Sequence, residues 1–195
     1  MAKKNVTRQL ILNAVVDCIE KYGIDKVTTR KIAQEAGTNI ASINYYFRSK
    51  DELVSATLAM TVNHMLEDVL AIIENKRLPL AEALEGVFYY LLEGGLRFPG
   101  ISTAQLYKAI TEKNYDSISA QALIKVFDRL AKRIMSEDPQ RDAAETRLLL
   151  SQIFSSIMFS MLAPNFFKVA EKYQLTNSKH ARNLAAYYTE LFMST

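Results

Sequence analysis

Only one cysteine, Cys18, occurs among the 195 residues, so an intrachain disulfide is excluded. The chain opens on Met-Ala-Lys-Lys-Asn, which does not have the pattern of a secretory signal. Both features favour the reducing cytoplasm. The longest apolar stretch, Leu148 to Leu162, is too short to span a bilayer and contains several serines, so we expect no membrane partner.

The sequence also lacks alternating strand patterns and hairpin dipeptides, whereas its apolar residues recur at spacings of three and four. This pattern predicts an all-α protein. Glycines, prolines and capping residues divide it into successive helices. We expect a first helix that ends at Gly23, then helices over about 28–36, 40–46, 50–75, 79–95, 102–113, 115–135, 139–162 and 177–193, with a helical pattern that resumes between Pro164 and Tyr173.

The positive charge is concentrated at the N-terminus. Residues 1–50 contain nine Lys or Arg and four acids, a balance of +5, while residues 51–195 contain 15 bases and 17 acids, a balance of −2. We therefore divide the chain into a basic head, residues 1–50, and a larger helical body, residues 51–195. A basic head on a slightly acidic body is compatible with a polyanion bound at one end, although solvated basic N-termini are equally common.

Residues 28–50 have the pattern of a helix-turn-helix, in which two short helices are joined by a tight turn. Gly37 permits the positive φ of such a turn, and Asn39 can cap the helix that follows. In that helix Ile43 and Phe47 are four residues apart and face inward, which leaves small and amide-bearing side chains on the other faces. This is the geometry that a reader of the DNA major groove needs.

Lys50 lies in the first turn of the next predicted helix. It is the second residue of the capping box Ser49-Lys50-Asp51-Glu52. A cation at this position opposes the helix dipole and costs a few tenths of a kcal/mol, about 0.3 or more. A phosphate bound beside the backbone amides of the helix N-terminus explains the placement.

Residues 7–58 resemble the TetR family of bacterial regulators. The resemblance includes Glu-Lys-Tyr-Gly at the end of the first helix, Thr-Thr-Arg-Lys-Ile-Ala, Ala-Gly-Thr-Asn, Tyr-Tyr-Phe and Ser-Lys-Asp-Glu-Leu. It implies a homodimer with a DNA-binding head and a ligand-binding body that dimerises through its last two long helices. Most members of the family are repressors that a ligand releases from DNA.

Carried over by position, the resemblance implies base-edge contacts from Arg30, Ile40, Ala41 and Ser42, and phosphate contacts from Thr29, Tyr45, Tyr46 and Lys50. Asn39 completes the predicted DNA-binding set as the cap of the reading helix. Asn44 stands where the family often has tyrosine, and Tyr46 where it often has histidine. Asn44 could bind adenine through two hydrogen bonds, or could bond to a phosphate or to the turn. Tyr45 and Tyr46 could instead be surface aromatics packed on the first helix.

The body is rich in aromatic and methionine side chains, which form ordinary cores but also line adaptable apolar pockets. As candidates for a small, largely apolar effector we select Phe88, Tyr89, Tyr107, Phe127, Phe159 and Phe166. The stretch Leu148 to Leu162 is apolar on more than one face, which suggests burial against a second subunit. The residues predicted at this twofold interface are Phe154, Met158, Leu184, Tyr187, Tyr188 and Leu191.

We recognise no Ser-His-Asp grouping, no glycine-rich phosphate loop and no metal-ligand spacing, so we expect no catalytic site, metal or cofactor. Cys18 lies on the apolar stripe of the first helix and is expected to be a buried, inert thiol. Three functions remain open: a ligand-released repressor of a palindromic operator, a DNA-binding regulator of the same fold without a small-molecule effector, and an all-α enzyme. The helix-turn-helix and the localised charge favour the two regulators.

Overall fold

The computed structural model describes residues 2–164, 166 and 170–195, and these residues form helices and turns without any strand, as the sequence predicts. The α-helices of this described part are α1 (Ala2–Tyr22), α2 (Thr29–Glu35), α3 (Ile40–Tyr46), α4 (Lys50–Glu74), α5 (Leu80–Arg97), α6 (Pro99–Thr111), α7 (Ile118–Glu137), α8 (Ala143–Leu162) and α9 (Ser178–Met193). Two short 3-10 turns cover Ile24–Lys26 and Glu171–Tyr173.

Local capping fixes the starts of the helices in the head. The side chains of Thr28, Asn39 and Ser49 each accept a hydrogen bond from the backbone N–H three residues further on, at 3.3, 2.8 and 3.0 Å. Each bond satisfies one of the N–H groups that the first turn of a helix leaves unpaired. Gly37 has a φ of 60°, so the turn between α2 and α3 uses the left-handed backbone that glycine tolerates best.

Two apolar cores organise the described chain, and α4 contributes to both. Leu53, near the start of α4, belongs to the head core, whereas Val69 and Ile73, near its end, belong to the body core. By length and composition alone α4 could cross a membrane. It packs against α1, α5 and α7. The head core also contains Ile101 and Ala104 of α6, so it extends beyond residue 50.

The body core is built around α5. Phe88 is fully buried and makes edge-to-face contacts with Phe154 of α8 and Tyr188 of α9, with ring centroids 6.3 and 6.4 Å apart. Aromatic pairs prefer this geometry, and each contributes about 0.5–1.5 kcal/mol beyond its buried area. The centre of the body is therefore a packed aromatic cluster.

Helices α5 and α9 lie antiparallel. Ser178 Oγ donates to Glu93 Oε1 at 3.0 Å, and one turn further along α9 the guanidinium of Arg182 lies 4.6 Å from the ring centroid of Tyr89. The residue numbers run in opposite directions along the two helices, which fixes the relative orientation of the last helix and the core helix.

Three predicted helix starts are corrected. Helix α6 begins at Pro99 and not near residue 102. Helix α7 begins at Ile118 and not at 115, because Ser117 accepts the hydrogen bond of the first turn. Helix α8 begins at Ala143 and not at 139, because the carboxylate of Asp142 accepts two first-turn N–H groups at 2.8 Å.

The helical pattern predicted between Pro164 and Tyr173 falls partly on residues 165 and 167–169, which lie outside the described residues. In the described remainder the chain forms only the 3-10 turn Glu171–Tyr173. The expectation of a continued helix is therefore corrected there.

Candidate nucleic-acid interface and ligand cavity

Helix α3 is anchored on one face and open on the other. Ile43 and Phe47, one turn apart, are each 2% exposed in the head core, as their spacing predicts. On the outer face Ile40 and Tyr45 are 45% and 68% exposed. A seven-residue helix is not stable alone, so the core contacts and the Asn39 cap hold it in place. The result is a short rigid helix presented at the surface, as reading of a major groove requires.

All ten residues predicted to contact DNA are at least partly accessible. Thr29, Ser42 and Tyr46 are half-buried, and Tyr46 packs partly against the head core, with its ring centroid 5.1 Å from that of Tyr45. The exposed members of the set are Arg30, Asn39, Ile40, Ala41, Asn44, Tyr45 and Lys50. Accessibility permits these contacts, and the contacts themselves stay a prediction.

The basic side chains of the head differ in how far they are engaged. The Lys31 ammonium donates to the backbone oxygen of Lys26 at 2.9 Å and lies 4.1 Å from the ring centroid of Tyr22. These contacts lie within the head and stabilise it. Within the part of the chain that the structure describes, Arg30 and Lys50 form no ion pair. Both are exposed and remain available to an anion.

A cavity of about 690 Å³ lies beside α4 and is lined by residues of α1 and of α4 to α8. This volume is within the range of about 300–1,000 Å³ that is typical of small-molecule sites. Its wall is mainly apolar, with contributions from Val62, Met65, Ile72, Leu106, Leu123 and Met161.

Some polar groups at the cavity wall are already hydrogen-bonded. The Tyr90 hydroxyl donates to Asp68 Oδ2 at 2.7 Å, and burial together with this bond raises the pKa of Tyr90 well above its usual value. Gln105 Nε2 donates to Thr61 Oγ1 at 2.9 Å. Glu93 Oε2 is buried and has no hydrogen-bond partner among the described residues. The wall of the cavity is therefore mainly apolar, with polar side chains at several points.

Of the six aromatic residues predicted to bind a ligand, Tyr89 alone lines this cavity. Its neighbour Phe88 is 0% exposed in the body core, because adjacent helical residues point about 100° apart. Besides Phe88, four others do not line the cavity: Phe127, packed against Phe154 at 5.7 Å, the exposed Tyr107, and the exposed pair Phe159 and Phe166 at 5.4 Å. Ligand contacts by the predicted set stay a prediction, and of its members Tyr89 is the one placed at this cavity.

Sequence reasoning missed what α4 and α6 contribute to the cavity. Thr61, His64 and Met65 come from α4, and Ser102 and Gln105 come from α6. None of them is aromatic, so a search for aromatic clusters does not find them. Their position between the two cores, rather than their residue type, makes them lining residues.

The residues predicted at a subunit interface fall into two groups. Phe154, Leu184 and Tyr188 are 8%, 7% and 9% exposed within one protomer and lie in its body core. Met158 is half-buried and lines the cavity. A role of these four residues at a subunit interface stays a prediction. The two residues that offer surface to a partner are Tyr187 and Leu191, 44% and 39% exposed.

Residues 11–57 match the model of the bacterial regulatory proteins of the tetR family. The regulator BetI of Serratia proteamaculans is 30% identical over 64 residues, which are 33% of this chain and 32% of BetI. BetI of Escherichia coli is 27% identical over 70 residues, 36% of each chain. The chain thus matches about a third of the length of these curated relatives.

The solved structures extend the likeness to nearly the whole chain. FadR of Bacillus subtilis, solved in complex with stearoyl-CoA, has a TM-score of 0.72 at 19% identity and covers 95% of this chain and 97% of its own. A TetR transcription regulator of Haloarcula marismortui has a TM-score of 0.69 at 19% identity, with 96% and 98% covered. At these identities the likeness establishes the fold.

The capped, exposed α3 and the all-helical body together have the arrangement of a helix-turn-helix protein. The head of the chain thus matches the tetR family of bacterial regulatory proteins, and the described chain as a whole has the fold of the solved structures named above.

Proposed function

We propose that this protein is a homodimeric transcriptional regulator that binds a palindromic operator and represses transcription until a small, largely apolar effector releases it. It acts in the cytoplasm, where it meets DNA. The observation that supports this most is the capped and exposed α3 beside the unpaired Lys50, within a TetR-type head. We propose the division into a head, residues 1–50, and a body, residues 51–195, as a division of function. It does not follow the packing, because the head core includes parts of α4 and α6.

The proposed DNA contacts fall into two kinds. Base edges are contacted by Arg30, Ile40, Ala41 and Ser42, and the exposed amide of Asn44 adds a bidentate contact to adenine. Phosphates are contacted by Thr29, Tyr45, Tyr46 and Lys50, which fix the register of the head on the duplex. Lys50 supports this division best, because its place in the first turn of α4 is unfavourable without an anion.

The proposed effector occupies the 690 Å³ cavity. The mainly apolar wall favours a ligand with a mainly apolar body. The B. subtilis FadR of the same fold was solved with stearoyl-CoA, a ligand with a long apolar chain. A regulator of the same fold without an effector is the second candidate, and the size of the cavity argues against it.

A second copy of this chain is the proposed partner of the outer face of α8 and α9. From residue 148 onward the exposed residues of α8 recur at spacings of three and four along one face: Leu148, Ser151, Gln152, Ser155, Ser156 and Phe159. Tyr187 and Leu191 on α9 are exposed as well. Small residues between large apolar ones allow close helix packing across a twofold axis.

The position of α4 supports a proposal for how the effector releases DNA. The helix begins at the proposed phosphate contact of Lys50, and several of its residues between Thr61 and Ile72 line the cavity. In the proposed dimer, DNA affinity depends on the distance between the two heads, because they must enter successive major grooves about 34 Å apart. An effector that shifts α4 moves the heads out of register, and an affinity difference of about 100-fold between the two states suffices.

Fluorescence anisotropy on a duplex selected from random DNA tests the DNA-binding part. Lys50→Ala should lower affinity for all sequences, with a salt slope smaller by about 0.9 per head, because one phosphate contact is lost. Lys76→Ala, an exposed lysine in the loop after α4, removes the same charge far from α3 and should leave the slope unchanged. Equal slopes for Lys50→Ala and the wild type would refute the phosphate role.

Titration calorimetry tests the effector part with stearoyl-CoA and a library of apolar molecules as probes. A gating ligand must bind more weakly in the presence of the duplex, by the same factor by which it weakens DNA binding. Equal affinity with and without duplex would exclude equilibrium gating by that ligand. If no probe raises the melting temperature, the regulator without an effector becomes the better interpretation.

A further inference from the structure

Helix α6 has no capping side chain of its own. It begins at Pro99, which has no N–H, and the residue before it is the apolar Phe98. The next two backbone N–H groups, of Gly100 and Ile101, are instead bound by a residue of the head. Glu20, near the end of α1, accepts from Gly100 N at 3.0 Å through Oε2 and from Ile101 N at 2.8 Å through Oε1. Because these N–H groups have no intrahelical partner, the carboxylate stabilises the start of α6.

The first turn of α6 lies directly on the last turn of α1. A Cβ at Gly100 would lie 2.9 Å from the backbone oxygen of Ile19 and 3.1 Å from Glu20 Oε2, so any larger side chain would separate the two helices. Ile101 and Ala104 are 5% and 3% exposed and belong to the head core.

The other side of α6 faces the cavity. Ser102, Gln105 and Leu106 are lining residues, and Gln105 bonds to Thr61 of α4. One 13-residue helix therefore contacts the head core, the cavity and α4 together.

We propose that Glu20 is a positioning residue that couples the cavity to the DNA-binding head through α6, in addition to the connection through α4. This inference rests on the proposed function. A carboxylate that binds two adjacent amides fixes both the distance and the angle between α1 and α6. A displacement of α6 by a bound molecule must either move α1 with it or break both hydrogen bonds. Conversely, DNA that immobilises the head immobilises the start of α6.

Amide hydrogen exchange over residues 99–106, read by mass spectrometry, tests the coupling in the full chain. Exchange is measured in the free protein and with a saturating duplex that the wild type selects from random DNA. In the wild type the duplex should slow exchange in this segment, which contains none of the proposed DNA contacts. In Glu20→Ala the free protein should exchange about fivefold faster there, the equivalent of a lost cap of about 1 kcal/mol. The slowing by DNA should be largely lost.

Asp17→Ala is the matched control, because Asp17 is an exposed carboxylate one turn earlier on α1 with no hydrogen bond to α6 in the described structure. It removes the same charge and should behave like the wild type. Glu20→Gln keeps one acceptor oxygen and should give an intermediate response, which separates loss of the bond from loss of the fold.

Fluorescence anisotropy on the same samples measures duplex binding itself, independently of the coupling through Glu20. If the wild type binds no duplex, the proposed function fails and the inference fails with it. If the duplex is bound but exchange over 99–106 does not change, or changes equally in Glu20→Ala, the coupling role of Glu20 is refuted while the DNA-binding function stands.

Discussion

Arg133 should be one of the largest single contributors to the stability of the body. It lies on α7, is 3% exposed, and donates to the backbone oxygens of Ile72 at 3.2 Å, Ile73 at 2.9 Å and, by a short bond, Leu78. Its Nε also donates to Glu137 at 2.8 Å. Two of the three carbonyls belong to the last turn of α4, where a cation is favoured by the helix dipole. Arg133 thus holds the end of α4 to α7.

Arg133→Met keeps the apolar length of the side chain and removes every donor. Three carbonyls lose a charged donor, and a buried polar group without a partner costs about 1–3 kcal/mol. Allowing for water that reaches the edge of the site, we expect a loss of about 3–5 kcal/mol, comparable to the removal of one partner from a buried ion pair. In a chain of this size that corresponds to a melting temperature lower by roughly 6–20 °C.

The assay is thermal and urea unfolding followed by circular dichroism, at one fixed protein concentration because a dimer's stability depends on concentration. Arg129→Met is the matched control. Arg129 lies one turn earlier on α7, and its half-exposed side chain is 3.4 Å from Glu74, so its loss should cost less than about 1 kcal/mol. If the two variants are destabilised equally, the carbonyls of α4 do not depend on Arg133 and the reasoning is wrong.

Three further predictions concern the head and the subunit surface. Asn39→Ala removes the acceptor of the 2.8 Å bond from Ser42 N–H and should cost about 1 kcal/mol in urea unfolding with weaker duplex binding; unchanged values for both would contradict the cap. Burial raises the pKa of the Cys18 thiol, so less thiolate is present at neutral pH, and iodoacetamide should label Cys18 only on unfolding; rapid labelling of native protein would show that the site opens. Leu148→Glu with Leu191→Glu should give a monomer by light scattering if α8 and α9 form the interface, and a persistent dimer would place the interface elsewhere.

The head is predictable because its determinants are local. Thr28, Asn39 and Ser49 stand in the sequence immediately before the helices that they cap, and the structure shows each bond at the expected position. The inward pair Ile43 and Phe47 follows from a spacing of four. The predicted DNA-contact set depends on these same features, and all ten of its residues are at least partly accessible.

The cavity and the subunit surface could not be predicted in the same way. Phe88 and Tyr89 are neighbours of the same chemical class, yet one lies in the core and the other lines the cavity. The difference depends on which helices pack on each side of α5, and periodicity gives the faces of a helix without naming the partner of each face. For the same reason Phe154 and Tyr188, apolar positions on helices expected at an interface, are core residues instead.

Some polar contacts between distant helices are the remaining class, and two of them share one physical origin. Every helix end leaves backbone groups that must be satisfied. Where the sequence supplies a local cap, as at Asn39, no distant partner is needed. Where it does not, a charged side chain from elsewhere occupies the end: Glu20 at the start of α6, after Phe98 and Pro99, and Arg133 at the end of α4. A helix end without a local cap is therefore a position at which a long-range contact can take the place of the cap, as it does at these two ends. Both ends belong to helices that line the cavity, and their contacts join those helices to α1 and to α7.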